Sequence, residues 1–239
     1  MITTSKYEEN GFAEIISGLV KVYDPKLVVE LGTQQGASAI IIGKALKQGK
    51  LHTYDSFAET YDLPPHAKTK ADPKVALMEI DRVGLTDKIE VFGEDAFKVY
   101  MRYDVVDILH IDLCNHYSTI ARLFNQWRYK VTKCIILEGG GYNKWQRELG
   151  FKPFTPLLRR HVITNLYDVV IITKNEDYAL TILTRRDYDT DVQSENGPDG
   201  VRVGSWRVRV WDGGGRSEGS RTYGCPKEVF VRGEPFTIE

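Results

Sequence analysis

The chain has 239 residues, 42% of them hydrophobic, and a formal charge of −1, which suffices for one substantial core and a small appendage. Balanced acids and bases exclude a general nucleic-acid or membrane-surface binder, which depends on basic excess, and favour a small-molecule partner. No apolar run approaches the roughly 20 residues that span a bilayer, and the polar start MITTSKYEENG lacks a signal-peptide core, so a cytoplasmic protein with reduced packing cysteines at Cys114, Cys134 and Cys225 is expected.

In chain order, helix-period patterns run over Phe12 to Val22, Ala37 to Leu46, Pro73 to Val83, Ser118 to Trp127 and Tyr142 to Leu149. Strand-like apolar runs alternate with them: Leu27 to Glu30, Leu51 to Tyr54, Ile89 to Phe92, Val105 to Ile111, Cys134 to Leu137, Val169 to Thr173 and Ala179 to Leu183. The alternation predicts an α/β domain over residues 1–186, with a mostly parallel sheet covered on both faces. Ser56 to Asp72, with its Pro-Pro pair, is too long for an ordinary connection and reads as a lid or a disordered stretch. Residues 187–239 form a Gly/Arg-rich C-terminal extension. It reads as a small β hairpin, a disordered tail or the product of an altered reading frame, and no chemistry is assigned to it.

The segment LVVELGTQQGASA, Leu27 to Ala39, is the most telling. A strand ends at Glu30, a turn carries Gly32 and Gly36, and small residues open a helix that can lie close to the sheet. A dinucleotide fold needs G-x-G-x-x-G for a pyrophosphate, and Thr33-Gln34 breaks that pattern; a P-loop needs Gly-Lys-Ser/Thr, which is missing. The pattern acid-x-Gly-x-x-x-Gly resembles motif I of the class I S-adenosylmethionine-dependent methyltransferases. That resemblance implies a Rossmann-like seven-stranded sheet with its last strand antiparallel, and a turn wrapped around the amino acid part of the cofactor.

Asp55 ends the second strand one βα unit after the turn, where a carboxylate can accept ribose hydroxyls. Gly93, Glu94 and Asp95 follow the third strand, where the superfamily places an acid or amide against the adenine amino group; Asp95 is the preferred residue, with helix capping as its competing role. The implied cofactor-binding set is Glu30, Gly32, Thr33, Gly36, Asp55 and Asp95.

Residues 105–127, VVDILHIDLCNHYSTIARLFNQW, place Asp112 at a strand end and His116 and Tyr117 just after it. The segment resembles H-I-D-G-x-H-x-Y of macrocin-type sugar O-methyltransferases and cephalosporin-hydroxylase-like proteins. In those, the strand-end Asp binds a divalent metal and the His can act as base. Leu113 and Asn115 depart from that pattern. Glu138, ending CIILE, matches a further acidic ligand, while Gly139 stands where a second acid often follows. The resemblance thus implies Asp112 and His116 as catalytic residues and Asp112 with Glu138 as ligands for Mg²⁺, alongside a metal-free alternative. His52, His66, His110 and His161 lack such company, and His110, inside a strand, reads as structural.

The expected reaction is methyl transfer from S-adenosylmethionine to a hydroxyl of a small acceptor such as a sugar or natural-product scaffold. His116 would take the proton, and aromatic residues Tyr142 and Trp145 with the segment Phe151 to His161 would meet the acceptor. The alternatives are a noncatalytic cofactor-binding or scaffolding protein of the same fold, and an NAD-linked enzyme. No nucleic-acid or membrane partner is expected, and a homo-oligomer is left open.

Overall fold

The seven apolar runs read as strands all form strands, with ends shifted by up to three residues, as where β5 starts at Val131 and β4 at Val106. The computed structural model describes residues 6–57, 71–113, 115–140, 150, 152–173, 178–186, 207–211 and 227–229. Contacts group the chain into two units, one of Met1–Leu113 and Leu123–Ile136, the other of Cys114–Arg122 and Leu137–Glu239.

In the first unit, α1 (Lys6–Asn10) and α2 (Phe12–Tyr23) precede β1 (Leu27–Leu31), α3 (Ala37–Ala45), β2 (Lys50–Asp55), α4 (Pro73–Arg82), β3 (Ile89–Gly93) and β4 (Val106–Ile111). A 3₁₀ turn, Val99–Arg102, sits before β4, and β5 (Val131–Glu138) belongs to this unit up to Ile136. Strand order is β3-β2-β1-β4-β5. β1 pairs in parallel with β2 and with β4, and β2 with β3. Val28, Val29, Leu51, Ile108, Leu109, Ile135 and Ile136 have no accessible surface, the burial on both faces that a parallel sheet requires. α5 (Tyr117–Trp127) runs from the second unit into the first, and its residues Ile120, Leu123, Phe124 and Trp127 are buried, the apolar stripe read from the sequence.

The second unit holds α6 (Thr155–Leu158), α7 (His161–Thr164), β6 (Tyr167–Thr173) and β7 (Ala179–Arg185). β6 and β7 pair antiparallel over their whole length, from Tyr167 with Arg185 to Thr173 with Ala179. β8 (Arg207–Trp211) adds antiparallel to β6, and β9 (Lys227–Val229) to β8. The fold is the Rossmann-like class I methyltransferase type, a mixed sheet mostly parallel with its last core strand antiparallel.

The expected helix at Tyr142 to Leu149 and most of the Ser56 to Asp72 segment lie outside the described residues. Asp72 is described, and it caps α4 by accepting the Lys74 N–H at 2.9 Å, with Pro73 at the first helical position. Among the described residues no helix is long and apolar enough to cross a membrane.

Candidate active site

The turn after β1 is built by its own chain and by β2. Gly32 N–H donates to the Tyr54 carbonyl at 2.8 Å, and Gly36 N–H to the Thr33 carbonyl at 2.8 Å. Gly32, Gln34 and Gly36 all have left-handed backbone, with φ of 105°, 47° and 84°. A Cβ on Gly32 would stand 2.0 Å from the Asp112 carbonyl oxygen. Its bareness therefore serves the close passage of the chain after β4, a reason the sequence did not reveal. Gly36 is open by comparison, its nearest neighbour Ala76 being at 3.6 Å, and left-handed φ alone explains the glycine.

Asp55 organises this turn. Its Oδ2 accepts the N–H groups of Thr33 at 3.1 Å and Gln34 at 2.9 Å, and its Oδ1 accepts that of Phe57 at 2.8 Å. Three of the roughly four lone-pair positions of the carboxylate are thereby used. Glu94 N–H donates to the Asp55 carbonyl at 2.9 Å, so the third-strand acids stand beside the turn. Asp95 is exposed; its Oδ1 accepts the Phe97 N–H at 2.9 Å, and Lys98 lies 3.9 Å from its Oδ2. No α-helix starts at Ala96; turns lead instead into the 3₁₀ segment Val99–Arg102, so Asp95 caps a turn.

Glu30 goes elsewhere. It has no accessible surface; Thr53 Oγ1 donates to its Oε2 at 2.6 Å, and His110 Nδ1 lies 2.9 Å from its Oε1. Thr33 Oγ1 meets Thr53 Oγ1 at 2.6 Å, extending the buried chain to the turn. Glu30 thus supports the site from beneath, and His110 has the structural place expected of it.

A cluster that the sequence did not announce braces the rim of β2 and β3. The Tyr54 ring stacks on Phe92, centroids 4.8 Å apart, and its hydroxyl bonds that of Tyr103. Tyr103 also bonds His52 Nδ1 at 2.7 Å, and Arg102 pairs with Glu94 at 2.6 Å. Burial lowers the His52 pKa below the ordinary 6.5, with Glu90 opposing and Lys50 adding to the effect, and burial raises that of Tyr103.

Asp112 stands just past β4, its N–H donating to the Leu31 carbonyl at 2.8 Å. Its Oδ2 accepts the Tyr7 hydroxyl at 2.5 Å. Tyr7 also meets the His110 ring edge-on, centroids 6.0 Å apart. Sequence reading missed Tyr7, because a five-residue helix in a polar leader carries no periodic signal.

In the second unit, His116 sits at the start of α5. Its Nδ1 lies 2.7 Å from Ser118 Oγ and 3.3 Å from the Ser118 backbone nitrogen, and its carbonyl accepts the Ile120 N–H at 3.1 Å. Tyr117 lies under the Arg160 guanidinium, 5.7 Å from its ring centre. Glu138 ends β5, and Gly139 and Gly140 follow with φ of 106° and 118°. Gly139 N–H donates to the Ala179 carbonyl at 2.7 Å, and Thr181 Oγ1 donates to the Gly139 carbonyl at 2.7 Å. A Cβ on Gly139 would stand 2.7 Å from the Asn115 side chain. Two of the three departures from the resembling pattern, Asn115 and Gly139, therefore adjoin one another. Tyr142, Trp145 and Phe151 lie outside the described residues.

Among the described residues no group of three or more His, Cys, Asp or Glu is arranged to hold a metal ion.

Residues 29–137, the stretch from β1 through most of β5, match the family model described as a methyltransferase domain. No curated protein sequence matches the chain. Among solved structures, the fold is similar to an O-methyltransferase from Streptomyces achromogenes, TomG, involved in tomaymycin synthesis and solved with S-adenosylmethionine. That match has 16% identity and a TM-score of 0.56 and covers 73% of this chain and 80% of that one. It is similar also to an O-methyltransferase from Bacillus cereus solved with S-adenosylhomocysteine, at 18% identity and TM-score 0.55, covering 77% and 83%. A methyltransferase from Geobacter sulfurreducens matches at 16% identity and TM-score 0.53, covering 72% and 77%.

Proposed function

We propose that this chain, whose residues 29–137 match a methyltransferase-domain model, transfers the methyl group of S-adenosylmethionine to a hydroxyl oxygen of a small molecule such as a sugar or natural-product scaffold. The observation that carries the reading is the gathering, at the carboxyl ends of β1 to β3, of a left-handed turn at Gly32 to Gly36, the Asp55 carboxylate fixed to that turn, and Asp95 one strand further. Ligands of open α/β sheets bind at such strand ends. The hydroxyl acceptor is favoured by the O-methyltransferases among the structural neighbours and by the Asp112, His116 and Tyr117 pattern.

The residues fit the cofactor's shape and polarity. Thr33 and the two glycines shape the floor of the turn, the remaining lone pair of Asp55 suits one ribose hydroxyl, and Asp95 keeps an exposed oxygen for an adenine amino group. When bound, S-adenosylmethionine supplies an electrophilic methyl on a sulfonium sulfur. The protein's task is alignment, worth more than proton transfer in such displacements. His116 is the proposed base, held at the start of α5 by Ser118, whose backbone N–H donates to its Nδ1 at 3.3 Å. Asp112 has one oxygen occupied by the Tyr7 hydroxyl. A Mg²⁺ requirement would show itself as turnover lost to a chelator and restored by the ion.

Calorimetry with S-adenosylmethionine, S-adenosylhomocysteine and NAD tests the pocket. The sulfonium compound and its product should bind, NAD should not, and Asp55→Ala should weaken both at least tenfold by releasing the turn. Undiminished affinity in that variant would remove the assignment. Labelled-methyl transfer to a library of hydroxyl compounds should fall about a hundredfold in His116→Ala; an unaffected rate excludes it as base. The noncatalytic reading, favoured by Asn115 against Gly139, predicts cofactor binding with no transfer to any member of the library.

A further inference from the structure

The turn after β1 holds an uncommon backbone. Gly32, Gln34 and Gly36 all lie in the left-handed region, and for Gln34, which carries a side chain, that conformation persists only where surrounding contacts over-determine it. Thr33 stands between the first two and engages its main chain and its side chain alike. Its N–H donates to Asp55 Oδ2 at 3.1 Å, its carbonyl accepts the Gly36 N–H at 2.8 Å, and its hydroxyl meets that of Thr53 at 2.6 Å. The sense of the last bond follows from the next one. Thr53 gives its single hydroxyl proton to Glu30 Oε2 at 2.6 Å, so it has only lone pairs to offer Thr33, and Thr33 is the donor.

The turn is thus tied to β2 twice, through its main chain to Asp55 and through the Thr33 hydroxyl to Thr53. The second tie is anchored in the sheet interior, where Thr53 and Glu30 have no accessible surface and His110 Nδ1 lies 2.9 Å from the other Glu30 oxygen. Thr53 therefore acts on a guest only through the turn. We propose that Thr53 is a positioning residue for the cofactor: through the Thr33 hydroxyl it holds the turn in the shape that receives the amino acid end of S-adenosylmethionine, leaving the nucleoside end to Asp55 and Asp95. A turn ordered before the guest arrives loses little conformational freedom on binding. The inference rests on the methyltransferase reading and deepens it by dividing the cofactor's affinity between two parts of the site.

The test needs no acceptor. Calorimetry on the full chain compares S-adenosylhomocysteine with methylthioadenosine, which keeps the nucleoside and the sulfur and lacks the amino acid. Thr53→Val, which keeps the branched shape and deletes the hydroxyl, should weaken the homocysteine compound about tenfold and leave methylthioadenosine within about twofold. Thr33→Val cuts the same tie at the turn and leaves Thr53 on Glu30, so it should show the same selective loss, and it decides the question even if Thr53→Val does not fold. The double variant should lose no more than either single one, because both remove one link, and Thr53→Ser should restore the affinity. Hydrogen exchange gives a readout without any guest: the Gly36 amide, bonded to the Thr33 carbonyl, should exchange faster in both valine variants, while that of Leu51 at the far end of β2 should not. Equal weakening of both compounds, additive losses or unchanged affinity overturns the inference and leaves the methyltransferase reading intact. If the unmodified chain binds neither compound, that reading falls and this one with it.

Discussion

Gly32 shows how a residue's role can differ from the one its motif suggests. The glycine turn was legible in the sequence, because φ > 0 and helix approach leave few other residues possible, but the partner pressing on Gly32 comes from the far-downstream Asp112, which no local pattern encodes. Gly32→Ala should therefore cost about 3 kcal/mol or more, combining a left-handed backbone strain with a Cβ 2.0 Å from a carbonyl oxygen, and the urea midpoint should fall accordingly. An alanine variant of ordinary stability would mean that the chain after β4 yields freely. Glu30 teaches the same lesson in reverse. Its position at the end of β1 was visible, yet alternation around the strand end directs the side chain to Thr53 and His110, so a strand-end acid expected at the ligand becomes its foundation. Asp55 was legible in position, since it follows the turn by one βα unit, but its bonds to the Thr33, Gln34 and Phe57 N–H groups were not.

Among the elements, strands were read well because continuous apolar runs in a parallel sheet leave little ambiguity, and β1 to β7 all formed within about three residues of their expected ends. α1 was missed for want of length. The rim cluster of Tyr54, Phe92, Tyr103 and His52 was missed because it joins β2, β3 and the residue after a 3₁₀ turn, none adjacent in sequence. That cluster makes stability depend on pH. His52 has its pKa lowered by burial, so the unfolded chain binds the extra proton more readily; the contribution is fully present above about pH 6.5 and is lost as pH falls below that value. The urea midpoint should drop between about pH 7.5 and about pH 5.5, and the drop should be smaller in His52→Gln. An identical drop in both proteins would assign the effect to other groups.

At the scale of the whole molecule, the parallel first part and the antiparallel β6–β7 pair were expected together, but the strands contributed by the extension were only one of three readings of a Gly/Arg-rich composition. β8 covers the backbone of β6 from Val169 to Thr173, and an uncovered edge of that length invites pairing with another chain. A chain ending at Arg186 should accordingly associate with rising concentration in light scattering, whereas the full chain should not do so through that edge; a monodisperse truncation would show that β8 is dispensable there. The hydroxyl relay from Thr33 through Thr53 to Glu30 has a different kind of consequence. Two alcohol protons sealed from water and held in contacts of 2.6 Å should exchange slowly enough to give their own proton resonances. The protein would then carry a built-in reporter, sited directly beneath the loop, that shifts when a guest settles there and requires no label to be read.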